Sequence, residues 1–370
     1  MKKSIHRRTF IRNTSLAAGA ALALPSIASA AKILGKAERQ KAKHVVYCIL
    51  GGGVRLNETI AQQFGSLMPN LLHGSNPSFE ELDLGFEKLS AVLPKPLRES
   101  GSLYSNFRYA KGVVNHYNAT AAAFCGKYAN NQLDYRAALS EDSIFDYYNR
   151  SRINAGKENK AVWIPNALSA YKEFAGNSKA CSLHPYHEQT LRERTERAVS
   201  FFSELPQSRL NEDLRCIAAA AESVQNHQPE LLVFNLQGAD ICHSNYTAYC
   251  ENLHLVDYGI ARLWEVIQNT PGMANDTVLI VAPEHGRDQE PNSISDQNEL
   301  FGYDHANETD ARKTFCVVAG PERMVAQNRI RTDNVETIDI LPSIAHLLGF
   351  ENVLPSLPGK KLQEAFDSVA

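Results

Sequence analysis

A chain of 370 residues, 44% hydrophobic and 21% charged, carries enough apolar material for a large buried core, which excludes a disordered or low-complexity protein. Its formal net charge of −3 excludes the basic electrostatic footprint of a nucleic-acid or anionic-lipid binder. After residue 30 no apolar run approaches the roughly eighteen residues that span a bilayer, so the mature chain is expected to have no membrane span.

The first thirty residues read as a targeting segment. Lys2, Lys3, Arg7, Arg8 and Arg12 form a basic region, Ser15 to Leu24 a modestly apolar one, and Ala28-Ser29-Ala30 a small-residue cleavage site. RRTFIR resembles a twin-arginine export signal, the alternative being a Sec signal or an uncleaved anchor. That resemblance implies a bacterial protein exported in the folded state, with the twin-arginine machinery as a partner and the periplasm or exterior as destination. Removing the segment takes five positive charges and moves the net charge to about −8. Residues 31–370 are expected to form a single domain. The seven cysteines are odd in number, and an oxidising destination permits a disulfide among Cys181, Cys216, Cys242 and Cys250 with the pairing left open.

HVVYCIL (His44 to Leu50) predicts a first strand buried on both faces, running into Gly51-Gly52-Gly53, where backbone can turn sharply or approach a ligand. Asn57 and Glu58 follow near the same sheet edge. From Pro69 to Arg98 the chain is rich in Pro, Gly, Ser and Asn and predicts a surface excursion. Ser102 to Val114 predicts a strand and turn. NHYNATAAAFCGKY then predicts a short helix capped by Asn115 or Asn118 and stopped at Gly126, whose N-terminus offers unsatisfied amides beside His116 and Thr120. A capped helix in SEDSIFDYYNRSRI and a strand in KAVWIPNALS follow. Residues 170 to 228 hold two charged amphipathic helices, about His187 to Leu205 and Leu210 to Asn226, and read as a peripheral helical insertion.

Between Glu230 and His305, strand-like runs end in groups that can hold a metal. Leu231 to Leu236 precedes Asp240 and His243; Thr277 to Ala282 precedes Glu284, His285, Arg287 and Asp288; Asp304 and His305 stand in the Gly-flanked loop FGYDHAN. Imidazole plus carboxylate is the ligand set of zinc and similar divalent ions, and side chains past the carboxyl ends of parallel strands line the ligand crevice of an α/β sheet. A long helix, about Tyr246 to Gln268, joins the first two runs, and Lys313 to Gly320 and Thr337 to Phe350 predict a last core strand and a closing helix. Strands and helices alternate, which predicts a doubly wound, mostly parallel sheet with helices on both faces.

These residues resemble the alkaline phosphatase superfamily, the phosphatase and sulfatase fold. ADICHSNYTAYCENLHLVDYGIARLWEVI is similar to its Asp, nearby His and following helix. NDTVLIVAPEHG is similar to its strand ending in Asp-His-Gly, and TIDILPSIAHLLGF with LPGKKL to its closing helix and Gly-x-x-Leu. The order covers most of residues 44 to 365, and GGGVRLNET, NLQGADICHSN, EHGR and GYDHA are closest to poorly characterised twin-arginine-exported members. The resemblance implies that Asp240, His243 and His305 ligate one ion and that Glu284 and His285 form part of a second site. Three departures stand out. The first strand ends in glycines where a metal-binding Asp is usual, the Asp-His pair is Glu-His, and the Asp to His spacing in ADICH is one residue short.

Where a Ser, Thr or formylglycine-forming Cys nucleophile would stand, this chain has His116. As a nucleophile or general acid/base His116 would carry the chemistry, with its ring held neutral by the helix N-terminus and a nearby dication; its alternative is a simple helix-start residue. Thr120 packs or serves as nucleophile; Arg287 is salt-bridged or clamps a phosphate or sulfate oxyanion. Glu58 is a first-turn acid or a replacement ligand for the missing Asp. The resemblance implies an exported hydrolase of phosphate or sulfate esters, small-molecule or glycan, with one or two divalent ions, zinc first and manganese, calcium or magnesium as alternatives. The rival is a non-catalytic binding protein with a degenerate metal site on the same fold.

Overall fold

The computed structural model describes residues 41–60, 67–72, 84–134, 137–166, 171–176, 180–307 and 309–366. The expected export segment, residues 1–30, lies outside them. The described residues from Ala42 onward form one compact unit. Its elements in chain order are β1 (His44–Leu50), β2 (Gly101–Arg108), α1 (His116–Cys125), α2 (Ile144–Asn154), β3 (Ala161–Ile164), β4 (Ser182–Leu183), α3 (Leu191–Phe201), α4 (Glu212–His227), β5 (Leu231–Leu236), α5 (Tyr246–Asn269), β6 (Thr277–Pro283), β7 (Lys313–Ala319), β8 (Arg329–Arg331), β9 (Val335–Glu336) and α6 (Ile340–Leu348).

The sheet order is β4-β3-β5-β1-β6-β7-β2-β8, with β9 beside β2. β3, β5, β1 and β6 run parallel, and β7 is antiparallel to both its neighbours, so the sheet is mixed but mostly parallel. Every residue of β1, β5 and β6 is buried, and side chains leave a strand alternately to the two faces. Val46, Cys48 and Leu50 therefore pack with Leu214 and Ile217 of α4 and Val256 and Ile260 of α5. Val45, Tyr47 and Ile49 pack with Phe124 of α1, Phe145 of α2 and Ile344 of α6. This is the doubly wound arrangement expected from the alternating elements.

Local chemistry sets the helix ends. Asn115 caps α1 by accepting from the Asn118 amide, and Gly126 ends it at φ 66°. Ser143 and Asp146 form a capping box on α2.

Three expectations need correction. Of the insertion at 170 to 228, α3 is outlying, with Ala198 its one buried residue among those described, but α4 buries ten residues and forms part of the helical layer on the sheet. The excursion from Pro69 begins in the core, because Asn70 and Leu71 are buried and tied to the Asp257 carboxylate through three N–H donors. Cys181, Cys216, Cys242 and Cys250 are separate buried thiols, so none of the permitted disulfides forms.

Candidate metal centre

Register builds the site. Leu50 pairs with Leu236 on one side and with Pro283 on the other, so the chain leaves β1, β5 and β6 at one level. The three exits carry Gly51 to Gly53, the 3₁₀ turn Gly238–His243, and Glu284 to Arg287. Where the resemblance calls for a carboxylate after β1, Gly52 and Gly53 adopt φ +91° and +75°; a Cβ would lie 2.2 Å from the Asp240 nitrogen at the first and 2.7 Å from His285 Cε1 at the second. Glycine is required there because Asp240 and His285 occupy the space. Buried Asp213 fixes the 3₁₀ turn by accepting from the amides of Gln237 and Gly238 and from the side chains of Asn166 and Asn252.

Asp240, His243 and His305 offer ligand atoms that all lie within 4.8 Å of one another, as do His116, His285 and His305. The rings of His116, His243 and His285 lie 4.9, 4.9 and 4.7 Å from that of His305. His116, at the N-terminus of α1, has Nδ1 at 2.5 Å from Glu284 Oε1 and at 3.0 Å from His285 Nε2, and Nε2 at 3.1 Å from Asp240 Oδ1. Glu284 Oε1 also accepts from the Gly52 amide and Oε2 from the Thr120 hydroxyl.

The donor set fits a divalent cation. His285 donates from Nδ1 to the Gly286 carbonyl at 2.7 Å, leaving Nε2 as a lone pair aimed into the cluster. His243 donates from Nδ1 to Asp304 Oδ1 at 2.6 Å, which likewise turns its Nε2 inward, 3.2 Å from Asp240 Oδ1. A second group that fixes the tautomer of an imidazole is the usual support of a histidine ligand. Asn292 holds Asp304 and the His243 carbonyl together.

The charge distribution follows this geometry. Burial opposes charge on His116, but the Glu284 carboxylate and then Asp240 outweigh it and raise its pKa to about 10, so the neutral ring expected there is not what the protein's own groups favour. Burial, then the charge of His116, lowers His305 to about 4; the same two causes hold His285 well below its usual range. One ring between two carboxylates takes the proton and its neighbours stay neutral. Asp240 is half-exposed; its partial burial opposes the charge, yet hydrogen bonds from His116 and His243 hold it far below the usual carboxylate range.

Four proposed roles are reshaped. Glu58 belongs to neither ligand group: it is buried against Arg55 Nη1 at 3.1 Å and the hydroxyls of Tyr246 at 2.9 Å and Tyr249 at 3.5 Å, which already engage its carboxylate. Arg55 in turn stacks 3.6 Å from the ring centre of Tyr303 and supports the loop bearing Asp304 and His305. Arg287 is 0% exposed, and its guanidinium donates to the carbonyls of Gly52, Gly53, Ala239 and Tyr303 and to Asp240 Oδ1, so it braces the site from below and does not face an oxyanion. Thr120 is buried on Glu284. His116 turns both nitrogens toward carboxylates, and neither is left for an attacking role. Sequence reasoning marked Asp304 only as one of the groups that can hold a metal, not as the partner of His243, and missed Asn292 altogether, which nothing in the sequence marks.

No family model and no curated protein matches the chain. Solved structures do. The phosphonate monoester hydrolase SpPMH from Silicibacter pomeroyi superposes with a TM-score of 0.57 at 12% identity, covering 89% of this chain and 77% of that one. The C-terminal periplasmic domain of EcEptC from Escherichia coli, in complex with Zn, gives 0.51 at 13% identity over 84% of each chain. BT1596, a 2-O GAG sulfatase, gives 0.51 at 13% identity over 88% of this chain and 74% of that one. The chain has the fold of the alkaline phosphatase superfamily.

Proposed function

We propose that this protein is an exported, metal-dependent hydrolase of phosphate or sulfate esters, small-molecule or glycan. The observation that carries the reading is the convergence of Asp240, His243, His285 and His305 at the carboxyl ends of β5 and β6, with ligand atoms within 4.8 Å in two overlapping groups. The structural neighbours include a phosphonate monoester hydrolase and a sulfatase, and one neighbour was solved with Zn, which supports zinc as the first candidate.

A divalent ion held by Asp240, His243 and His305 would polarise the ester oxygen and stabilise the leaving group. The chain's own residues prepare that position. Asp304 sets the His243 tautomer, Gly286 sets that of His285, and Arg287 holds Asp240 between the exits of β1 and β5. Water attacks phosphorus or sulfur, the ester bond to the alcohol breaks, and the alcohol leaves with a proton. Export rests on the twin arginines Arg7 and Arg8; lysine at both is expected to keep the protein in the cytoplasmic fraction, and unaltered periplasmic recovery would count against that route.

The test is turnover of p-nitrophenyl phosphate, p-nitrophenyl phenylphosphonate and p-nitrophenyl sulfate by zinc-loaded protein. Asp240→Asn and His305→Ala are expected to reduce turnover by about two orders of magnitude or more. Zinc-loaded protein that turns over none of the three would favour the rival, a binding protein with a degenerate site.

A further inference from the structure

We propose that His116 is a metal ligand and not the nucleophile, completing a three-histidine set with His285 and His305; the assignment builds on the metal-dependent reading above. Three observations point to it. His116 Nδ1, His285 Nε2 and Glu284 Oε1 form a triangle with edges of 3.0, 2.5 and 3.5 Å. The Nδ1–H of His285 is spent on Gly286, and Glu284 is a carboxylate, so two of the corners present lone pairs to one point and the third is an imidazole nitrogen facing the same point. Such a triangle suits a divalent ion with ligand bonds near 2.1 Å, whose neighbouring ligand atoms are spaced on the order of 3 Å. His305 completes the set, since its ligand atom falls within 4.8 Å of those of His116 and His285.

The placement of His116 also removes it from an attacking role. Its Nε2 faces Asp240 and its Nδ1 faces Glu284, and its side chain is 23% exposed, so the ring spans the two halves of the cluster edge to edge. An attacking imidazole needs one nitrogen with a free lone pair turned to the substrate. Asn115, the residue before His116, caps α1, so the ring stands on the first turn of a capped helix, a rigid element as a ligand requires.

The experiment measures metal binding and uses no ester. Full-length wild type and His116→Gln are stripped with chelator and titrated with zinc against a chromophoric competitor. The copper-loaded forms are examined by pulsed electron paramagnetic resonance for the number of coordinated imidazoles. His116→Gln is expected to lose on the order of 100-fold in zinc affinity and one imidazole from the count. Unchanged affinity with an unchanged count would overturn the proposal. A variant that fails to fold is replaced by a measurement on wild type alone: in protein with nitrogen-15 in its histidine rings and cadmium-113 bound, the His116 ring nitrogen should show scalar coupling to the metal while exposed His227 shows none. Bound cadmium without coupling to His116 would overturn it too. Loss of zinc affinity in a protein without esterase activity would leave this assignment standing and remove the hydrolase reading.

Discussion

The carboxylate of Asp304 decides which nitrogen His243 turns inward, although its own side chain is 43% exposed and carries little of the fold. Asp304→Ala is therefore expected to leave the melting temperature near that of wild type and to weaken zinc binding about 10- to 100-fold, read by competition titration. Unchanged affinity would show that His243 needs no such support. Gly53 makes the opposite prediction. At φ +75° with His285 Cε1 2.7 Å from the position of a Cβ, Gly53→Ala should cost about 1–2 kcal/mol from the backbone alone, and more from displacing His285, measured as a lower urea midpoint. A variant as stable as wild type would mean that the turn relaxes freely. At this scale Asp240, His243, Glu284 and His285 were legible as candidates, because they stand just past apolar runs. What was not legible is direction. Arg287 reads as a solvated or salt-bridged residue or an oxyanion clamp until its five acceptors are seen beneath the site, and Glu58 as a first-turn acid or a ligand until Arg55 and two tyrosines are seen around it.

Among the elements, α5 does more than connect β5 to β6. Its Asp257 fixes Asn70 and Leu71, and its His254 accepts from the Leu89 amide at Nε2 and donates from Nδ1 to the Leu67 carbonyl. Both contacts require the neutral ring, and burial lowers its pKa below 6.5. The sign follows: in the unfolded chain His254 takes a proton as pH falls below 6.5, while the folded chain resists it. Its stabilising contribution is complete above 6.5 and is lost as pH drops toward the folded value. Wild type should thus lose more of its urea midpoint than His254→Gln between about pH 7.5 and pH 5. Equal losses would show that the ring is not held neutral. The strands β1, β5 and β6 were readable because burial on both faces makes them continuous apolar runs. β4, β8 and β9, two or three residues each, carry no such signal, and the charged outer face of α4, with Glu212, Arg215 and Glu222, disguised a helix whose inner face packs on the sheet.

The molecule as a whole gathers carboxylates and imidazoles at one end of the sheet, with Arg287 turned to backbone as much as to Asp240. A bound ion should stabilise the fold by mass action, by about 2.7 kcal/mol at a hundredfold excess over its dissociation constant. Zinc should therefore raise the melting temperature of chelator-treated protein, and an unchanged melt would mean that the ion does not bind the folded state. The order of strands and ligand-bearing loops was legible in the sequence, whereas the mixed polarity at β7 was not, since an antiparallel core strand buried on both faces has the same apolar pattern as a parallel one. The most direct test of a metal-dependent hydrolase is one titration, in which zinc is added stepwise to chelator-stripped protein and p-nitrophenyl ester turnover is recorded at each occupancy. Turnover that rises from background in proportion to bound zinc is the predicted result. Full turnover without metal, or none at full occupancy, would contradict it.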